Sequence, residues 1–290
     1  MGILLAGGTG SRLFPLTKAT NKHLLQIYDK PMIYYSLSLL MLADIRDIVI
    51  IGRREDIPQL QSLLGDGRQW GLTLQYVEQE KPNGIAEAFL ITEHLLGKAN
   101  VVLALGDNII HGSNLSAVLR NVCRNNEGAS ILGYPVHDPS AFGVVEVGAN
   151  GKAISLEEKP KAPKSNLAVP GFYCYDNRVV DFAKSLKPSA RGELEITDLN
   201  RIYLEEGTLA VNLLGRGVAW LDGGTPDGMF EASQYVQVMQ ARTGLVISSP
   251  EEIAWHSGWI DDDQLRALCQ SGSANTYASS LLTMLAYKPE

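Results

Sequence analysis

The sequence is short of the features that announce several common functions. Its 290 residues hold three cysteines, Cys123, Cys174 and Cys269. They are far apart in sequence, odd in number and form no C-x-x-C pair. Neither a disulfide framework nor a cysteine zinc site is indicated, and reduced thiols in a cytoplasmic protein are expected. No apolar run approaches the ~20 residues of a membrane span, and no basic stretch precedes an apolar core at the N-terminus. Met1-Gly2 opens like a myristoylation signal, but Ala6 stands in its Ser/Thr position. Positive charge is not in excess: 25 Lys and Arg face 32 Asp and Glu, a formal net charge of -7. That balance speaks against a nucleic-acid or membrane-surface binder, yet leaves room for a small anion held by a few local cations. The histidines, His23, His94, His111, His137 and His256, lack metal spacing such as H-E-x-x-H. A G-x-S-x-G elbow, a reactive Cys–His pair, a repeat of 20–50 residues and a low-complexity linker are also missing.

What is present begins at Ile3. An apolar run, Ile3-Leu4-Leu5, reads as a short buried strand and breaks into Gly7-Gly8-Thr9-Gly10, ending on Arg12. Glycines there let amide N–H groups turn inward on an anion, and the guanidinium adds a planar fork of donors suited to phosphate oxygens. The loop alone is ambiguous between a phosphate cradle and a simple glycine turn. It misses the P-loop pattern, and it misses G-x-G-x-x-G because Leu13 stands where the third glycine belongs.

Downstream, apolar runs alternate with helical periodicity. The spacing predicts a helix after Pro31, with Ile33, Leu37, Leu40 and Met41 facing a core, then a strand over 47–52 and a helix over 57–64 ending at Gly65. A third strand over 72–77, a helix over 84–96 and a fourth strand over 101–105 follow. This alternation predicts an α/β fold, a mostly parallel sheet flanked by helices, with ligands gathered at the carboxyl ends of its strands. Asp107, directly after a strand of five apolar residues, falls on that edge. It suits a metal ligand, and equally a turn or a cap for a helix near Leu115.

Between 142 and 156 the pattern becomes a hairpin, 143–147 and 153–156 joined across Asn150-Gly151, delivering Glu157-Glu158-Lys159-Pro160. A strand over 168–175, a helix to about 186 and a helix opening at Arg191 and running to 206 are expected next. Two short strands, 209–214 and 218–221, then lead to Asp222-Gly223-Gly224, which repeats the arrangement at Asp107. A helix from Pro226 to about 241 and two or three short helices after Pro250 complete the chain. We therefore expect a core over 1–241 and a helical appendage over 242–290, with Trp255, Trp259 and Leu265 packed on that core or on another subunit.

Two aspartates and a glycine loop with an arginine on one sheet edge, with Lys22 and Lys159, suit a nucleoside triphosphate with magnesium, since Mg²⁺ takes one or two carboxylates plus phosphate oxygens. Chemistry at phosphorus is mostly positioning and charge neutralisation, so a side-chain nucleophile is not required.

The blocks L-A-G-G-T-G-S-R-L-F-P-L-T and N-K-H-L-L-Q-I-Y-D-K-P-M-I-Y-Y resemble the signature of the sugar-1-phosphate nucleotidylyltransferases. L-G-D-N at 105–108, G-V-V-E at 143–146, E-E-K-P at 157–160, A-R-G-E-L-E-I-T-D at 190–198 and A-W-L-D at 219–222 narrow the resemblance to the glucose-1-phosphate thymidylyltransferases, over essentially the whole chain. The resemblance implies a Rossmann-like sheet with a sugar-binding β-hairpin region. It also implies a reaction in which dTTP and glucose 1-phosphate give dTDP-glucose and pyrophosphate by in-line attack at the α-phosphorus. It implies Asp107 and Asp222 as Mg²⁺ ligands, and Arg12, Lys22 and Lys159 as the catalytic cations, Lys159 gripping the sugar phosphate. By the same resemblance Leu5, Gly7, Gly8, Gly10, Gln79, Pro82, Gly84 and Asp107 surround the nucleotide, and Gly143, Glu158, Val169 and Tyr173 the sugar. A homotetramer with feedback by a downstream dTDP-sugar is a further family expectation.

Departures from the family pattern are His23 for glutamine, Gln26 for proline, Glu87 for glutamine, Phe142 for tyrosine, Pro170 for threonine and Gly223 for threonine. They remove no principal charge, and they leave open a preference for UTP or a modified hexose phosphate. A catalytically weak nucleotide-sugar sensor is the alternative from another class. A nicotinamide-dependent dehydrogenase is the reading of the glycine loop alone.

Overall fold

The computed structural model describes residues 1–270 and 275–286. Its first strand, β1 (Gly2–Leu5), is the apolar run at the N-terminus, and a two-residue hairpin, β2 (Gln26–Ile27) and β3 (Lys30–Pro31), follows the glycine loop. β4 (Asp47–Arg53), β5 (Thr73–Gln79) and β6 (Val101–Leu105) complete a parallel unit in the spatial order β5-β4-β1-β6. Successive residues of these strands point to opposite faces. Leu4, Ile48 and Ile50 enter one hydrophobic cluster while Ile3, Val49 and Ile51 enter another on the far side. Both faces are covered, which is why β1, β6 and the middle of β4 are apolar at successive positions, while β5, at the edge, alternates. The Met32–Leu42 helix covers the first face, and the helices Val179–Ser185 and Ile196–Glu205 contribute to the second.

Beyond β6 the sheet changes direction. β7 (Asn108–Gly112) leaves it, β8 (Ala129–Pro135) returns, β9 (Gly143–Val147) and β10 (Ala153–Glu158) form the expected hairpin, and β11 (Leu167–Ala168) pairs with β8 and β9. β12 (Phe172–Tyr175) lies antiparallel between β6 and β8. β13 (Leu209–Leu213) runs parallel to β8, and β14 (Val218–Asp222) pairs with β7 in a separate antiparallel ribbon.

Three expected elements differ. The helix over 84–96 is two short helices, Glu87–Ile91 and Glu93–Leu96, interrupted at Thr92, whose hydroxyl bonds back to the Ala88 carbonyl at 2.6 Å. The strand over 168–175 is broken at Val169-Pro170-Gly171, where proline has no N–H for a ladder and Gly171 N–H instead donates to Asn108 Oδ1 at 2.9 Å. The helix expected from Arg191 begins at Ile196, because the backbone before it pairs elsewhere: Leu194 N–H donates to the Asn83 carbonyl at 2.6 Å and Ala86 N–H to the Leu194 carbonyl at 3.1 Å. β7 and β8 have no counterpart in the sequence reading.

The C-terminal helices Pro250–His256, Asp262–Gln270 and Thr276–Ala286 pack on the chain's own core. Ala254, Leu265 and Leu281 share one cluster with Leu37 and Leu40, and Trp255 and Trp259 pack against it. The cluster is continuous across position 242. The three cysteines are free, and folding brings the thiols of Cys123 and Cys174 to 3.1 Å.

Candidate active site

The carboxyl ends of β1, β5 and β6 open onto one cleft of about 340 Å³, within the usual range for a small-molecule site. Gly7 and Gly8, Arg12, Lys22, Gln79, Asp107, Glu158, Lys159 and Asp222 all line it. So do Leu5, Pro82, Gly84, Gly143, Val169 and Tyr173. Of the residues the resemblance assigns to the site, Gly10 alone is not among the lining. It sits behind the wall, where its carbonyl accepts from Thr17 Oγ1 at 2.9 Å and its α-carbon faces the stem of Lys22.

The loop after β1 is shaped by two different needs. Gly8 holds φ +88°, a left-handed conformation that costs a side chain dearly. Gly7 meets a close neighbour: a β-carbon there would run into Oε1 of Gln79.

Lys22 reaches the cleft from a single turn, Lys22–Leu24, and that turn is fixed by Asn21. Asn21 Oδ1 accepts from His23 N–H at 2.8 Å and lies 2.7 Å from His23 Nδ1, while Nδ2 donates to the Ala6 carbonyl at 3.0 Å and to Asp56 Oδ2 at 2.6 Å. Arg53, at the end of β4, closes the network with two bonds to Asp56, at 2.7 and 3.0 Å. The base of the glycine loop, the end of β4 and the turn carrying Lys22 are thereby tied through one buried amide. His23 is itself buried and in the cleft wall; burial, then the nearby Lys22 cation, push its imidazole down to about 3, so it stands neutral.

Lys22 Nζ lies 2.5 Å from Asp107 Oδ2, and Asn108 Nδ2 donates to Oδ1 at 3.0 Å. Burial works to raise the Asp107 carboxyl, but the Lys22 charge and these hydrogen bonds hold it well below the usual carboxylate range. Asp222 is delivered beside it by pairing of β14 with β7: Asp222 is opposite Asn108, and Gly223 N–H donates to the Asp107 carbonyl at 2.9 Å. Burial and then the charge of Asp107 push the Asp222 carboxyl above its ordinary value, against the Gly224 N–H that donates to its Oδ1 at 2.9 Å and the Arg12 charge nearby.

The hairpin supplies the opposite wall. Glu158 Oε2 accepts from Thr197 Oγ1 at 2.5 Å, and Oε1 lies 3.3 Å from Arg191 Nη2 and 3.8 Å from Lys159 Nζ. Lys159 adopts φ +45°, and its N–H donates to the Phe142 carbonyl at 3.0 Å. The Phe142 ring packs on Trp220 with centroids 4.8 Å apart, and Trp220 Nε1 donates to Asn108 Oδ1 at 2.7 Å. Tyr173 is buried beneath, its phenol pushed up by burial and then by Glu158. Asn21, Asn108, Arg191, Thr197 and Trp220 are the contributors the sequence reading did not assign. All five stand inside blocks that carry the family resemblance, and that was the available signal.

Among the described residues there is no group of three or more His, Cys, Asp or Glu side chains that would enclose a metal. The two aspartates nonetheless fit a divalent ion that also takes ligands from a substrate. The Asp107 charge raises the cost of ionising Asp222, and each Asp107 oxygen keeps a lone pair beyond its bond to Lys22 or Asn108.

A glycine cradle, convergent cations and paired carboxylates at the carboxyl edge of an α/β sheet define a nucleotide-handling transferase. The model of the nucleotidyl transferase family matches residues 1–238, and the chain belongs to that family. A glucose-1-phosphate thymidylyltransferase of Neisseria meningitidis is 51% identical over 284 residues, covering 98% of this chain and 99% of its own. The enzyme of the same name from Mycolicibacterium smegmatis is 52% identical over 284 residues, covering 98% of each chain. A Bacillus anthracis structure with sucrose bound, to which the same activity is provisionally assigned, superposes with a TM-score of 0.74 at 45% identity, over 81% of this chain and 94% of that one. A UDP-glucose pyrophosphorylase with UDP-glucose bound shares the fold, with a TM-score of 0.73 at 24% identity, over 82% of this chain and 98% of that one.

Proposed function

We propose that the protein transfers a thymidylyl group from dTTP to glucose 1-phosphate, giving dTDP-glucose and pyrophosphate. The observation that carries this reading is the convergence of Arg12, Lys22, Asp107, Lys159 and Asp222 on one cleft that also holds Gln79 and Glu158. Leu5, Gly7, Gly8, Gln79, Pro82 and Gly84 take the nucleoside, with the amides of the Gly7–Gly10 loop and Arg12 on the phosphates. Gly143, Glu158, Val169 and Tyr173 take the glucose ring, Glu158 accepting hydroxyl hydrogens, and Lys159 holds the sugar phosphate. Lys22 stands between the two substrates and offsets charge as the sugar-phosphate oxygen attacks the α-phosphorus and pyrophosphate leaves opposite.

Asp107 and Asp222 would hold Mg²⁺. When bound, the ion neutralises the triphosphate and draws electrons from the phosphorus under attack. Residues 1–241 carry this chemistry, and the helices after 242 brace the first face of the sheet.

A homotetramer in the cytoplasm, subject to feedback by a downstream dTDP-sugar, belongs to the same proposal. Phe230 and Val238, 63% and 52% exposed on the Pro226–Thr243 helix, support association, and no helix among the described residues is long and apolar enough to cross a membrane. The test is a magnesium-dependent assay of pyrophosphate release with glucose 1-phosphate and either dTTP or UTP. Turnover with dTTP supports the reading; faster turnover with UTP, or with another hexose phosphate only, reassigns the substrate; no release with any pair points to the sensor.

A further inference from the structure

Cys123 is the next-to-last residue of the helix Leu115–Arg124, and Cys174 lies in β12, 51 residues further on. Side chains alternate along β12: Tyr173 lines the cleft, while Cys174 points to the opposite face and enters the other hydrophobic cluster, with Cys123 packed against it. The two sulfurs meet there at 3.1 Å. Their surroundings differ. Cys174 is buried in the middle of the sheet, opposite Val102 of β6 and Ser130 of β8. Cys123 is half-buried in the last turn of its helix, beside the exposed Arg124 and Asn125. The contact with Cys123, and then burial, push the Cys174 thiol well above its ordinary value, so it keeps its proton. Cys123 is the sulfur that a small oxidant from solvent meets first.

We propose that Cys123 and Cys174 form a reversible disulfide when a hydroperoxide reaches the half-buried thiol, tying the helix to the central strand. The Cys123 sulfur attacks as thiolate, an S–O bond forms and the O–O bond of hydrogen peroxide breaks. The hydroxide released takes the proton that Cys123 gave up and leaves as water, and Cys123 becomes a sulfenic acid. The Cys174 sulfur then attacks the Cys123 sulfur, the S–O bond breaks, and the departing hydroxide takes the Cys174 proton. Two thiols and one peroxide give one disulfide and two waters. A disulfide needs its sulfurs at about 2.05 Å, so they must close by about 1 Å. Neighbours on both sides hold β12, and the movement falls to the last turn of the helix. The loop so closed contains the hairpin that carries Glu158 and Lys159, and the link restricts it in the unfolded chain. The inference does not depend on what the cleft transfers, since both sulfurs lie on the far face of the sheet from it.

The experiment treats the reduced full chain with hydrogen peroxide, then counts thiols in denaturant, weighs the intact protein and maps its linked peptides. Native protein should fall from three thiols to one, lose the mass of two hydrogens and join the peptides of Cys123 and Cys174 within one chain. Its unfolding midpoint should rise by about 5 °C, and dithiothreitol should reverse both changes. Cys123→Ser should keep both remaining thiols under the same treatment. Cys174→Ala should stop at a Cys123 sulfenic acid that dimedone traps. If that variant fails to fold, native protein and Cys123→Ser carry the test. Native protein that keeps three thiols, links Cys269 or a second chain, or gains oxygen without a link overturns the disulfide. So does Cys123→Ser losing thiols as fast as the native chain. A bond that forms and leaves the midpoint unmoved overturns the tie between helix and strand.

Discussion

The Lys22 ammonium sits 2.5 Å from the Asp107 carboxylate, joining two segments 85 residues apart across the mouth of the cleft. The lysine comes from an irregular turn and the aspartate from a strand end. Their contact draws the glycine-loop side of the site to its carboxylate side.

Replacing Asp107 or Asp222 by asparagine should lower magnesium-dependent turnover on the order of a thousandfold, since a neutral amide is a poor ligand for a hard cation. Pyrophosphate release titrated with Mg²⁺ reads this directly. Turnover near the native rate in either variant would remove that aspartate from the metal site.

Lys159 is exposed, held at the hairpin's end, with Glu158 Oε1 3.8 Å away as its ion-pair partner. Lys159→Ala should raise KM for glucose 1-phosphate about tenfold and leave KM for dTTP nearly unchanged. Steady-state kinetics with each substrate varied in turn decides it; a loss confined to dTTP would move the lysine to the nucleotide side.

Asn21 is expected to matter through Lys22. Removing its amide frees the turn from both the Ala6 carbonyl and Asp56, and a misplacement of Lys22 by about an ångström should cost between about ten- and a hundredfold in kcat. If the effect passes through the lysine, Asn21→Ala should add little in a Lys22→Ala background. Equal losses in both backgrounds would make Asn21 a general structural residue.

Glu252, on the first C-terminal helix, is raised by burial to about 7 against the pull of Lys30, with an ordinary value near 4.5. A folded value above the unfolded one means that the folded chain keeps a proton the unfolded chain has lost. Between pH ~4.5 and ~7 this group therefore makes stability fall as pH rises, by up to about 1.4 kcal/mol per pH unit. Glu252→Gln should leave stability unchanged near pH 4.5 and increase it above pH 7. Urea unfolding of both proteins at the two ends of that window gives the comparison. A variant less stable at the higher pH would show instead that the charged carboxylate is well paired.

Parts of the site were legible because they are local. β4 and β6 are built on apolar runs, 48–51 and Val101–Leu105, each followed by a glycine, and the Asn150-Gly151 turn fixes the hairpin that carries Glu158 and Lys159. β7 was not legible: Ile109 and Ile110 make too short a run to register, and the strand exists because β14 pairs with it. The segment before Ile196 carries helix-like acids, yet its backbone bonds go to the loop at 83–86, a partner more than a hundred residues earlier.

By itself the sequence determined the alternation of strands and helices, the glycine loop, the kinds of charge available and the family resemblance, all of which rest on neighbours a few residues apart. Tertiary structure alone decided that Asp222 stands beside Asp107, that Asn21 holds Lys22 and that Cys123 meets Cys174. The reason is physical: hydrogen bonds and charge pairs of this kind depend on distances of about 3 Å between atoms, and chain order does not specify those distances until the two halves of the sheet have packed.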